Sequence, residues 1–167
     1  MEASRPQGDV IDAIAGIEPR SLLGRLRRRR RDVFDHAEGC HRVLLLPDDP
    51  GGVSRAERAA IALRVALITK DEGLATHYRM LLGEANGEEL ITAVVEPEAG
   101  GAMLGALLRH ADLLAQAPGD ATAEDLRKLD ALGYTSRDVV ALAQLVALVS
   151  FQSRLLAGLR ILQEEKA

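Results

Sequence analysis

Tryptophan is missing from the 167-residue sequence, and two tyrosines with two phenylalanines are all the other aromatics it has. So few π-faces leave little for base stacking or a carbohydrate platform, and aliphatic side chains must fill the interior. The single cysteine, Cys40, excludes an intrachain disulfide, a Cys-rich zinc site and a CxxC redox pair, and fits a reducing compartment. Neither sign of charge dominates: 21 Lys and Arg against 25 Asp and Glu give a net charge of −4, which argues against a surface committed to nucleic acid. The longest apolar stretch, Val139 to Val149, is short for a membrane span and carries Gln144. Met1-Glu2-Ala3 is not the basic-then-apolar opening of a signal segment. A cytoplasmic protein is expected, with neither nucleic acid nor membrane as partner and with no cofactor or metal site.

What is present is a helical pattern over a large apolar reserve. Hydrophobic residues make up 47% of the chain, enough for a packed core at this length. All six prolines fall between segments of helical periodicity, where a fixed φ and a missing N–H do least damage. The pattern predicts a short helix near Asp9 to Gly16 and a long one from Ser21 to Leu46. Ser54-Arg-Ala-Glu57 is a capping box opening a third helix, whose break at Thr69-Lys70-Asp71 makes a hairpin with the helix carrying Leu74, Tyr78, Leu81 and Leu82. Glu88 to Val95 reads as a short helix, and Leu104, Leu107, Leu108, Ala111 and Leu114 form the inward stripe of another. Thr122 with Asp125, and Thr135 with Asp138, repeat the start signal. The last helix, Asp138 to about Gln163, is apolar over so much of its circumference that it belongs in the middle of a bundle or at a subunit interface. Strand-like alternation is not evident. The expectation is an all-α chain, with an N-terminal arm and short helix over 1–20 and a single helical domain over 21–167.

Three clusters could carry chemistry. His77 can exchange a proton near neutral pH. Glu57 and Arg64, seven apart on one helix, could bind a carboxylate beside it, with Tyr78 as a further contact, although a helix cap for Glu57 and an acidic partner for Arg64 are the plainer readings. His36, Cys40 and His41 suggest a soft metal site or an activated thiol, but two ligands from one helix do not complete a site, and Cys40 reads as a small packing residue. The basic run of Arg25 and Arg27 to Arg31 reads as salt bridges, with Asp32, Asp35 and Glu38 at hand, or as a subunit contact. His110 and Arg109 read as a solvated edge.

The stretch Ser54-Arg-Ala-Glu-Arg-Ala-Ala-Ile-Ala-Leu63, followed by Gly73-Leu-Ala-Thr-His-Tyr-Arg-Met-Leu81, resembles the core hairpin of the carboxymuconolactone decarboxylase and AhpD-like alkylhydroperoxidase superfamily. Ala121 to Leu126, Leu132 to Val140 and Ser150-Phe-Gln-Ser-Arg154 are similar to the end of its peroxidase-related branch. The resemblance implies an AhpD-like helical bundle whose subunits pack through helices as dimers, trimers or hexamers. It also implies a CxxC pair with a relaying Glu and His, and here the pair is absent. Aligned on the Glu-Arg side, the thiol positions fall on Asp71 and Leu74; aligned on His77, they fall on Lys70 and Gly73. The relay Glu position is Ala59, and His77 alone matches. Two functions follow as expectations. One is a cysteine-independent enzyme with His77 and Glu57 as catalytic groups and Arg64 and Tyr78 binding a small carboxylate or lactone. The other is a catalytically silent subunit that assembles with a related alkylhydroperoxidase-like protein.

Overall fold

The computed structural model describes residues 9–165, all of whose regular elements are helices. They are α1 (Val10–Ala15), α2 (Leu22–Arg28), α3 (Arg31–Leu45), α4 (Arg55–Ile68), α5 (Glu72–Glu84), α6 (Ile91–Val95), α7 (Gly101–Gln116), α8 (Ala123–Ala131) and α9 (Ser136–Glu164), with short 3₁₀ turns before α6, α7 and α8. Each start follows from local chemistry. Asp9, Ser21, Ser54, Asp71 and Thr135 accept backbone N–H bonds from the first turn of the helix each precedes. At α4 the box is reciprocal: Glu57 N donates to Ser54 Oγ and Ser54 N donates to Glu57 Oε2 at 2.8 Å.

The α4–α5 hairpin is the centre. Six residues of α4, from Ala60 to Ala66 with Arg64 excepted, are wholly shielded from solvent, so α4 is enclosed on nearly every side. It packs on α5, α7 and α9, while α9 also receives α1, α3 and α8. That packing accounts for part of the apolarity of α9, whose Val140, Phe151, Ile161 and Leu162 stay exposed. By length and composition it could cross a bilayer, yet its apolar window is 44% buried within the fold. Polar clamps fix the helix ends. Arg160 of α9 grips Asp71, the cap of α5, with two bonds of 2.8 and 3.0 Å. Arg64 does the same for Asp112 of α7. The cap acid of α9, Asp138, also accepts from Gly52 N at 2.8 Å and so pins the loop before α4.

One element departs from the sequence expectation. The single helix expected over Ser21 to Leu46 is two, broken at Arg29 and Arg30, where Arg30 leaves helical geometry at φ −102° and ψ 64°. The break turns Arg27 and Arg28 toward α1, where Arg27 binds both Asp9 and Asp12 and Arg28 binds Asp12. Both guanidinium groups also lie over the Phe34 ring, at 5.3 and 5.1 Å. The basic run therefore finds its main partners on α1; within its own helix only the exposed Arg31–Asp35 pair forms. With Ile11 and Ile17 in the core and α1 against α5 and α9, residues 9–20 pack on the bundle.

Candidate functional site

His77 lies on α5, one residue before the buried Tyr78, and its ring meets a histidine from another helix. His41 of α3 places its Nε2 3.4 Å from His77 Nε2, with ring centroids 5.2 Å apart. Tyr78 closes the cluster: its ring stacks on His41 at 6.1 Å and meets His77 edge-on at 5.1 Å. The Tyr78 hydroxyl donates to Gln152 Oε1 of α9. Three helices thus contribute His41, His77, Tyr78 and Gln152 to one buried polar cluster. His41, Tyr78 and Gln152 are at most 5% exposed, and His77 is half-buried.

Burial decides the charge state. It holds the His41 imidazole down at about 4, helped by the neighbouring His77, and it lowers His77 as well. Burial pushes the Tyr78 phenol up, against a smaller opposing effect of its bond to Gln152. At neutral pH both rings are uncharged, so along the contact one Nε2 donates and the other accepts. His41 Nδ1 is buried without a partner among the described residues. The arrangement is a water-poor pair of imidazoles sharing one N–H, with an edge of His77 toward solvent. Removing the Tyr78 hydroxyl leaves Gln152 Oε1 buried and unpaired, so Tyr78→Phe is expected to cost about 1–2 kcal/mol in urea unfolding. Adding Gln152→Leu should recover part of that loss.

The other expected site residues lie apart from this cluster. Glu57 stays in its capping box, and Arg64 turns toward α6 and α7, bonding the Val94 and Val95 carbonyls at 2.9 Å besides Asp112. His77 and Tyr78 are brought together; Glu57 and Arg64 are not. Sequence reasoning missed His41 and Gln152 as members. The available signal for His41 was its spacing: with Leu44 and Leu45 it shares the inward stripe of α3. His36, Cys40 and His41 diverge, since His41 points inward while His36 and Cys40 are exposed. Cys40 is thus not the packing residue expected: it lines an open groove between α3 and α9. His110 is buried and lowered by that burial, not part of a solvated edge. Among the described residues no three His, Cys, Asp or Glu side chains stand together as a metal site.

Three of the four positions where the resemblance implies thiols are occupied structurally, and the fourth, Lys70, is an exposed turn residue at φ 56°. Asp71 caps α5 and holds Arg160, and Leu74 is fully buried in the core. A Cβ on Gly73 would meet Ile14 Cγ2 of α1 at 2.5 Å, so α1 covers that place.

An enclosed hairpin beside a central terminal helix defines an all-α bundle of the AhpD-like type. The solved structures it is similar to include a peroxidase-related protein from Silicibacter sp. TM1040, at 18% identity over 77% of this chain and 69% of that one, with a TM-score of 0.68. They also include an alkylhydroperoxidase AhpD core, a peroxidase-related protein from Ralstonia eutropha JMP134, at 21% identity over 76% and 68%, with a TM-score of 0.66. No family model and no curated protein sequence matches the chain. At these identities the likeness establishes the fold.

Proposed function

We propose that this AhpD-like chain is a cysteine-independent acid–base enzyme acting on a small carboxylate or lactone, with His77 as the group that moves the proton. The contact of two neutral imidazoles at 3.4 Å carries this reading. A ring held neutral at pH 7 is a base ready to accept a proton, and a second ring on its Nε2 can replace or take the proton exchanged on the other side. Tyr78 and Gln152 act as positioning residues, fixing the rings from behind. Glu57 and Arg64 would have to leave Ser54 and Asp112 to assist. Peroxide reduction by a thiol pair is not part of the reading, because the equivalent positions hold a cap aspartate, a core leucine, a close-packed glycine and an exposed lysine, and a lone Cys40 has no resolving partner in its own chain.

A second reading, a non-catalytic subunit assembled with an alkylhydroperoxidase-like protein, is favoured by one observation. The cavity of about 160 Å³ between α3, α4 and α5 is lined by Leu45, Ala59, Leu81 and neighbours, not by His77.

Thermal-shift screening with small unsaturated carboxylates, lactones and acyl thioesters separates the two, since a bound ligand raises stability with its concentration over Kd. The acid–base reading expects a stabilising compound whose conversion falls about a hundredfold or more in His77→Ala and is unchanged in Cys40→Ser. No stabilisation across the panel supports the non-catalytic subunit. Peroxide consumption with an external thiol that disappears in Cys40→Ser overturns both.

A further inference from the structure

We propose that α2 and the turns at its two ends form a docking surface for an anionic lipid bilayer, on which the chain rests without crossing it. From Arg20 to Arg31 the chain carries seven arginines and no acid. Arg27 and Arg28 are taken up by Asp9, Asp12 and the Phe34 ring. That anchoring fixes which way the short helix faces. Leu23 and Gly24 are buried, with Arg27 and Arg28 half-buried beside them, and at about 100° per residue the opposite arc holds Arg25, Arg29, Leu22 and Leu26. Exposure agrees: Leu22 is 51% exposed, Leu26 40%, and both arginines are exposed. Leu22 shares a depression of about 400 Å³ with Ile17, Leu23 and Leu162 of α9, and Leu162 is also exposed, so the apolar spot continues onto a second helix. Glu18 is the only acid lining that depression.

The occupant is argued from charge and depth. Arg20, Arg25, Arg29 and Arg30 have no carboxylate partner among the described residues, and Arg31 has only its exposed contact to Asp35 at 3.5 Å. These cations flank a leucine pair at both ends, which fits a partner that is negative across its whole face and apolar just beneath. A bilayer of acidic lipids is such a partner. Leucines enter the boundary between headgroups and acyl chains, and arginines hold their guanidinium groups at the level of the phosphates on long stems. Nucleic acid would leave Leu22, Leu26 and Leu162 facing water. A second copy meeting this face about a two-fold axis would set arginine against arginine. The net charge of −4 does not prevent the contact, because charges beyond a Debye length of about 10 Å are largely screened. The sequence expectation of no membrane partner rested on the lack of a spanning segment, and docking on a surface needs none. This inference is independent of the acid–base reading.

The test is co-sedimentation with lipid vesicles. Wild-type protein is expected to bind vesicles of equal parts phosphatidylglycerol and phosphatidylcholine, not phosphatidylcholine alone, and to be released as salt rises from about 0.05 to about 0.5 M. Arg25→Glu with Arg29→Glu, and Leu22→Ser with Leu26→Ser, should each weaken binding about tenfold or more, whereas Arg25→Lys with Arg29→Lys keeps most of it. Arg127→Glu with Lys128→Glu on α8 changes the net charge as much as the first pair and should leave binding unaltered. All these positions are exposed, and circular dichroism checks that each variant stays helical. The chain has no tryptophan, so Leu26→Trp supplies a single reporter, whose emission should move to shorter wavelength with the acidic vesicles alone. The proposal is overturned by no sedimentation with acidic vesicles, by binding indifferent to either the arginine or the leucine pair, by an equal loss in the α8 variant, or by unshifted emission. Affinity for duplex DNA that is lost in the arginine pair and kept in the leucine pair also overturns it, in favour of a nucleic-acid partner.

Discussion

Arg58→Ala is expected to lower unfolding stability by about 3–5 kcal/mol, among the largest single losses this fold can show. Arg58 is the only cation among the buried polar and charged residues, at 5% exposure among those described. Among the described residues it has no carboxylate partner; its guanidinium donates to three backbone carbonyls, Val53 O at 2.9 Å, Leu44 O at 2.9 Å and Pro50 O at 2.8 Å. These belong to the end of α3 and to the proline-rich loop before α4, which lacks regular hydrogen bonding of its own. Truncation leaves those acceptors without their donor, opens a cavity beside Val53 and frees the C-terminal end of α3. A lysine has one donor centre and cannot reach three carbonyls in divergent directions, so Arg58→Lys should recover less than half of the loss. By contrast, Arg137→Ala, which breaks the nearby exposed bridge to Asp49, is expected to leave stability nearly unchanged. Urea unfolding of the three variants ranks them. Since α3 also carries His41, Arg58→Ala should loosen the imidazole pair in the folded protein.

Acid should destabilise the fold well before its carboxylates titrate. The folded state holds His41 near 4, against an ordinary imidazole value of 6.5, and lowers His77 and His110 in the same direction. A depressed folded pKa means that the unfolded chain binds protons first. The stability these rings contribute is therefore fully present above pH 6.5 and is lost as pH falls from there toward 4. At pH 4 His41 alone accounts for a loss of about 3 kcal/mol. Asp71 and Asp138, themselves lowered by their partners despite an opposing burial effect, begin to contribute only below the ordinary carboxylate value of 3.8. The two windows are separate. Unfolding free energy measured between pH 7 and 4 should fall steeply in the wild type and much less in His41→Phe, which keeps an aromatic ring in the place and removes the titrating nitrogen.

Helix starts were legible because their causes are local. A serine or threonine with an acid three residues on satisfies the same orphan N–H groups whatever the tertiary context, and Ser54, Thr122 and Thr135 all begin helices as expected. The apolar stripes of α7 and α9 were legible for the same reason. The break at Arg29 and Arg30 was not, because it is imposed by Asp9 and Asp12 on a different helix. The site divides in the same way. His77 could be found on its own helix, and the plainer readings of Glu57 as a cap and Arg64 as an ion-pair partner describe where the structure holds them. His41 and Gln152 come from α3 and α9, separated from the hairpin in sequence, and only packing shows that they converge on Tyr78. Cys40 drew attention by its rarity, yet the buried neighbour at position 41 is the residue that reaches His77.

The most direct test of the neutral imidazole pair is a ¹⁵N and ¹³C NMR titration of the four histidines, assigned by single substitutions. The account predicts that both rings titrate below the ordinary imidazole value of 6.5, and that His41 takes up a proton only near pH 4. Titration of both rings at the ordinary value of 6.5 would contradict it, for the cluster would then be open to water and the buried neutral pair would not exist.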